Sequence, residues 1–277
     1  MWFELALFSM LAYGVLDFLF KAAEEKNVDF SNLFLYYYWT ASLAAFALFA
    51  LSPQGIPDFT FLAFFALAQV SLYLVANVLK LESLNYIKSV LAYPLFALHG
   101  VAAAILAFVF LGESLSTPQY IGIALSVVAI LLLIENQRKL TLSKGALLAL
   151  ASAICIAASE TIVAAIIDYI VILPFIALSY FFAIGPSVVL EKHLHKRGKA
   201  GKGAMRLGVA MGLTNIAAFY SLLLALTTGP ASIIFPIIAL SLLVSVALSM
   251  AIYREKVSRT KLLAIALALI AIMVMHL

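Results

Sequence analysis

Ala92-Tyr-Pro-Leu-Phe-Ala-Leu98, followed by Leu111-Gly-Glu-Ser-Leu-Ser116, is a passage that this chain writes twice. Its counterpart reads Ile234-Phe-Pro-Ile-Ile-Ala-Leu240 and then Tyr253-Arg-Glu-Lys-Val-Ser258. A shift of 142 carries Pro94 onto Pro236, Glu113 onto Glu255 and Ser116 onto Ser258 without a gap. A match at fixed offset marks an internal repeat. In both copies the proline lies inside a long apolar run, and the glutamate and serine lie at the polar corner that ends it.

Working outward from these corners, the chain divides into ten apolar spans. Their limits are Trp2–Ala23, Leu33–Leu51, Phe59–Leu81, Ile87–Leu111, Pro118–Ile134, Gly145–Ala165, Tyr169–Leu190, Met205–Thr227, Ala231–Tyr253 and Lys261–His276. Each holds about 16–25 residues, close to the ~20 that carry a helix across ~30 Å of hydrocarbon. The composition agrees: 66% of the 277 residues are hydrophobic and 11% charged. That balance excludes a water-soluble domain, whose surface needs far more charge. The predicted fold is an all-α polytopic membrane protein, with ten transmembrane helices arranged as two five-helix repeats, residues 1–141 and 142–277. Five is odd, so the second repeat must enter the membrane in the opposite sense, an arrangement common among secondary transporters.

Charge sets the orientation. Ten spans put both termini on one face, together with the breaks after spans 2, 4, 6 and 8. The 17 Lys and Arg residues all fall at the opposite face or in the helix ends beside it. The positive-inside rule makes that face cytoplasmic and leaves both termini outside, in a cytoplasmic-membrane protein. The run Lys192, Lys196, Arg197, Lys199, Lys202 and Arg206 reads as a solvated topogenic loop suited to anionic headgroups, not as a nucleic-acid site. Glu4 and the lack of a basic leading segment argue against a cleavable signal peptide. One cysteine, Cys155, excludes an intrachain disulfide and a cysteine-based metal site. No cofactor is expected. The expected partners are a small-molecule substrate and the lipid bilayer, with the chain a monomer or homodimer.

The doubled Pro…Glu-x-Leu/Val-Ser corner and the five-plus-five plan resemble the drug/metabolite transporter superfamily, EamA-type ten-helix branch. The resemblance spans essentially the whole chain. It implies a basket of ten helices that moves small metabolites by alternating access, with a cavity lined mainly by spans 1, 3, 4, 6, 8 and 9. It also implies cytoplasmic termini and a basic corner after span 4. Here that corner carries no basic residue, and the corner after span 9 holds Arg254, Lys256, Arg259 and Lys261. The orientation therefore reads as flipped.

Polar side chains within spans are costly, at about 2.5–3.5 kcal/mol each for charged ones, and so point to function or to a partner. Span 3 carries Gln69, Tyr73, Asn77 and Lys80 at intervals of four, four and three, which is one helical face. Such a stripe suits cavity lining, with helix–helix hydrogen bonding as the alternative. Lys80 lies near enough to the cytoplasmic end to snorkel. Tyr13 in span 1, His99 in span 4 and Asn215 in span 8, the repeat mate of Tyr73, complete the substrate-binding candidates. Asp17, Glu160 and His99 are the proton-coupling candidates. Asp17 could instead pair locally with Lys21, and His99 could be a hydrogen-bonded packing residue. Gly208 and Gly212, and the stripe Ser241, Ser245 and Ser249, read as close packing. Pro94 and Pro236 free the carbonyls of Val90 and Ser232, while Glu113 and Glu255 are expected to bond backbone donors and fix their corners.

The functional expectation is a secondary-active transporter of small organic metabolites, amino acids or similar, possible proton coupling included. No Walker sequence supplies ATP chemistry. A lipid flippase of the same superfamily is the alternative. An intramembrane enzyme would need paired catalytic groups at one depth, and Asp17 and Asp168 lie towards opposite faces.

Overall fold

The computed structural model describes residues 1–26, 28–51, 53–133, 143–194, 202–253 and 258–277. Among these, every regular element is helical: α1 (Trp2–Glu25), α2 (Phe30–Leu51), α3 (Phe59–Ser83), α4 (Ser89–Ala97), α5 (His99–Leu111), α6 (Thr117–Leu132), α7 (Lys144–Ile166), α8 (Ile172–Leu194), α9 (Lys202–Leu226), α10 (Ala231–Ala239), α11 (Ser241–Tyr253) and α12 (Arg259–His276). The fourth and ninth apolar spans are each two helices, where the sequence pattern reads one. Among the described residues, eight helical stretches are long and apolar enough to cross a membrane. Thr117–Leu132 and Ile172–Ser187 are shorter apolar helices.

Each break follows a proline by four residues. Pro94 and Pro236 stand inside α4 and α10, where a proline ring crowds the preceding turn and supplies no N–H. Four residues on, the Leu98 N–H bonds to Leu95 O (3.3 Å) and the Leu240 N–H to Ile237 O (3.1 Å), a local 3₁₀ tightening. The chain restarts as α5 at His99 and as α11 at Ser241, so two helix starts lie within the bundle. At the corners the local chemistry is also repeated. Gly112 adopts φ +67°, the left-handed end that a glycine allows. Ser116 then caps α6 in a box with Gln119, with Pro118 in the first turn, and Ser258 caps α12 through the Lys261 N–H.

Packing follows the repeat. α1 lies on α9, α10 and α11, and correspondingly α7 lies on α3, α4 and α5; α2 packs on α9 as α8 packs on α3. α2 also meets α8, and α6 meets α12. Gln69 faces Ser159 and Ala76 faces Ser152, so α3 and α7 run antiparallel. Gly208 abuts Leu33 and Tyr36 while Gly212 abuts Tyr37 and Thr40, so α9 and α2 run parallel. A side chain at Gly208 would come within 2.8 Å of the Leu33 carbonyl, which is why the helices meet on glycines.

The two ends of the bundle differ. One gathers Trp2 against Gly229, Phe3 against His276 and Phe61 against Tyr169. The other sets Lys144 on the Tyr86 hydroxyl (2.7 Å) and Phe18 on Tyr253. Every described Lys and Arg belongs to the second end or to helix turns leading from it.

Candidate functional site

Three cavities with shared walls run into the bundle from the basic end. The mouth, about 470 Å³, has Lys21, Glu24, Glu25 and Lys261 at its rim and Asp17 and Tyr93 at its floor. Asp17, Tyr93 and Leu242 also line a middle cavity of about 120 Å³. Tyr13, Tyr73 and Glu160 join it to an innermost space of about 50 Å³. Leu222, Leu223 and Phe235, all nearly or fully buried, line that last space towards the far end.

The sequence candidates converge here. Tyr13, Asp17, Tyr73, Asn77, His99 and Glu160 line the middle cavity, and Gln69 and Asn215 the innermost one. Several are committed to other side chains. Gln69 donates to Ser159 Oγ (3.1 Å), and Ser159 donates back to the Gln69 carbonyl (3.2 Å), stitching α3 to α7. Asn77 donates weakly to the Tyr38 hydroxyl (3.4 Å), and Asn215 donates to the Tyr180 hydroxyl. Tyr38 and Tyr180 are themselves repeat mates, and their rings stack with centroids 6.2 Å apart. Gln69 and both asparagines thus bond between helices while lining the cavities.

The acids form two matching pairs. His99 Nδ1 lies 3.0 Å from Glu160 Oε2, with both side chains about one-sixth exposed (17% and 15%). Asp17 accepts a hydrogen bond from Ser241 Oγ at 3.0 Å, where the sequence offered Lys21 as its partner. His99 and Ser241 are related by the shift of 142, and each is the first residue of a helix that starts inside the bundle. A carboxylate is favoured beside such a start, because the free N–H groups and the helix dipole point at it. Each pair joins the two halves of the chain. In the helices that carry the acids the register slips by one: Ser9 and Asp17 correspond to Ser152 and Glu160 at a shift of 143. Ser9 donates to the Ala218 carbonyl and Ser152 to that of Ala76, both at 2.8 Å, so the slipped register is also the structural one. The eight-residue Ser-to-acid spacing in both copies was the available signal.

Other residues have roles that their spacing did not reveal. Lys80 turns inward instead of snorkelling: its ammonium sits 5.5, 5.3 and 5.2 Å from the ring centroids of Phe20, Tyr93 and Phe96. Glu113, expected to bond backbone donors, does so across the repeat. Its oxygens accept from the Ala231 N–H (2.7 Å), the Ser232 N–H (2.8 Å) and the Ser232 hydroxyl. It thus caps α10 and ties the corner after α5 to the other half at the end opposite the mouth. Pro94 lines the mouth, whereas Pro236 is buried among its neighbours. Glu255, Arg254, Lys256 and most of the basic run 192–202 lie outside the described residues or side chains.

Helices of this length and apolarity around a polar cavity define an integral multi-pass membrane protein. The model of the EamA-like transporter family matches residues 1–135 and again 143–277. The chain belongs to that family, whose members are membrane transporters. No curated protein sequence matches it significantly. A solved crystal structure, 12% identical, superposes with a TM-score of 0.85 over 99% of this chain and 95% of its own length; at that identity it speaks for the fold alone.

Proposed function

We propose that the protein is a secondary transporter of small organic metabolites, amino acids or similar, working by alternating access between two inverted five-helix halves. The observation that carries this reading is the line of cavities: wide at the basic end, narrowing to a polar centre between the halves, and ended by apolar side chains. The antiparallel contact of α3 with α7 and the parallel contact of α2 with α9 support ten spans that alternate in direction. In that scheme residues 1–141 and 142–277 are the two halves. The positive-inside rule puts the mouth in the cytoplasm and the termini outside, in the cytoplasmic membrane. The conformation is then inward-open, and the Glu113 cap on α10 belongs to the closed outer gate.

Asp17, His99 and Glu160 are the proton-coupling groups in this reading, since each joins one half to the other and faces the path. Transport would change which partner each acid meets. The test is uptake into vesicles reconstituted with the purified protein, with and without an imposed pH gradient. Uptake of any organic solute above that of empty vesicles supports transport, and acceleration by the gradient supports coupling. Uptake indifferent to the gradient, in wild type and in Glu160→Gln alike, would remove protons from the scheme.

A further inference from the structure

We propose that Lys80 is the seat for the carboxylate of a small carboxylate-bearing solute, an assignment that rests on the transport reading of the same cavity. The ammonium has three donors, and the contacts around it are ring faces, not acceptors. Rings attract a cation and flank it, yet they leave its N–H groups to be satisfied from the cavity. Asp17, held by Ser241, and Glu24 attract the ammonium through space, and Glu160 is held by His99, but among the described residues no carboxylate lies within ion-pairing distance of Lys80. A cation attracted by carboxylates that it does not touch has donors left for a ligand's carboxylate in the cavity.

The charges of the same cavity narrow the anion. Lys80 shares the space with Asp17 and Glu160. A dianion such as phosphate would meet two like charges for one ammonium. A single carboxylate matches Lys80, and a hydroxyl or ammonium elsewhere on the solute finds the remaining lone pairs of Asp17.

The repeat shows that the fold itself does not ask for this lysine. A shift of 142 turns Lys80, Tyr93 and Phe96 into Leu222, Phe235 and Ile238. These are 2%, 0% and 3% exposed. In the second half the position is filled with hydrocarbon, on the walls of the innermost and middle spaces. Lysine inside a span is unfavourable for insertion, so its presence in one half marks use.

The experiment measures thermal stabilisation of the purified protein by matched solutes: L-alanine against L-alaninamide, L-leucine against L-leucinamide, and lactate against lactamide. Ligand that binds only the folded state raises the midpoint. At least one carboxylate is expected to stabilise the wild type while its amide does not. Lys80→Met should weaken that response by about tenfold or more, and Lys80→Arg should retain most of it. Without ligand, K80M should melt at or above the wild type, since a desolvated charge with no ion pair at contact distance has been removed. Equal responses to a carboxylate and its amide, a K80M response equal to wild type, or no stabilising carboxylate in the panel would each overturn the assignment. Vesicle uptake separates the two readings. Uptake of a neutral or cationic solute with no carboxylate response leaves transport standing without Lys80's role. A carboxylate that binds through Lys80 but never crosses leaves the site standing and removes transport.

Discussion

Asp17 and Glu160 look unrelated at a shift of 142, where Asp17 falls on Ser159 and Glu160 on Phe18. The one-residue slip between α1 and α7 makes them equivalents, and each meets the first residue of an interrupted helix, Ser241 or His99. Their partners differ in chemistry: an imidazole can carry charge near neutral pH and a hydroxyl cannot. Glu160→Gln and His99→Gln should therefore each reduce transport severely, while the double variant loses little more than either single. Such non-additivity, about 0.5–3 kcal/mol for groups in contact, is read from uptake rates and from melting of the three variants. Additive losses would mean that the two groups act separately. Ser241→Ala should be the milder change, and a loss equal to that of His99→Gln would reverse the ranking. The sequence displayed these residues as a stripe on span 3 and isolated acids elsewhere. It could not display Lys80's direction, because that depends on Tyr93 and Phe96 arriving over it from the next span, beyond a turn that periodicity does not describe.

At the level of elements, the most exacting contact is the glutamate that caps a helix it does not belong to. Glu113 satisfies two backbone N–H groups at the start of α10, groups that no residue within that helix could reach. Glu113→Ala should lower stability by about 1–3 kcal/mol, measured by thermal or detergent denaturation, since donors in a partly buried setting lose their acceptor. If the cap belongs to the closed gate, the same variant should label more readily at a cysteine placed at Thr228. Unchanged stability and labelling would leave Glu113 as an ornament of the corner. Gly208→Leu tests α9 against α2, where a side chain would strike the Leu33 carbonyl and the Tyr36 Cβ. Failure of that variant to accumulate as a folded protein is the expected result, and a wild-type melting curve would contradict the packing. Helix limits were legible to within a few residues, because hydropathy and capping serines mark them. The breaks at Leu98 and Leu240 were not: Pro94 and Pro236 announce a kink, but the 3₁₀ turn four residues later leaves no mark on hydropathy.

For the whole molecule, the charge bias and the repeat were both readable from the amino acids, and the proposed orientation rests on them. It is checked with cysteines introduced at Gly55 and Lys88, both exposed, after Cys155 is replaced by serine. A membrane-impermeant maleimide should label Gly55→Cys in intact cells and spare Lys88→Cys until the membrane is opened. The reverse result would turn the protein over and place the mouth outside. The cavity's depth and closure were not readable, since they depend on how the helices lean against one another.

The two halves do not line the path equally. Lys80 and its rings line the middle cavity, while their repeat mates Leu222, Phe235 and Ile238 are buried hydrocarbon. A carrier built on such halves should show its solute different affinities from the two faces, and so saturate at different concentrations in the two directions. Without an energy source, microscopic reversibility still requires the ratio of maximal rate to half-saturating concentration to be the same both ways. Any inequality in that ratio, measured in vesicles loaded from one side and then the other, gives the work done on the solute. The asymmetry of one lysine thus makes rectification and energy input separately measurable.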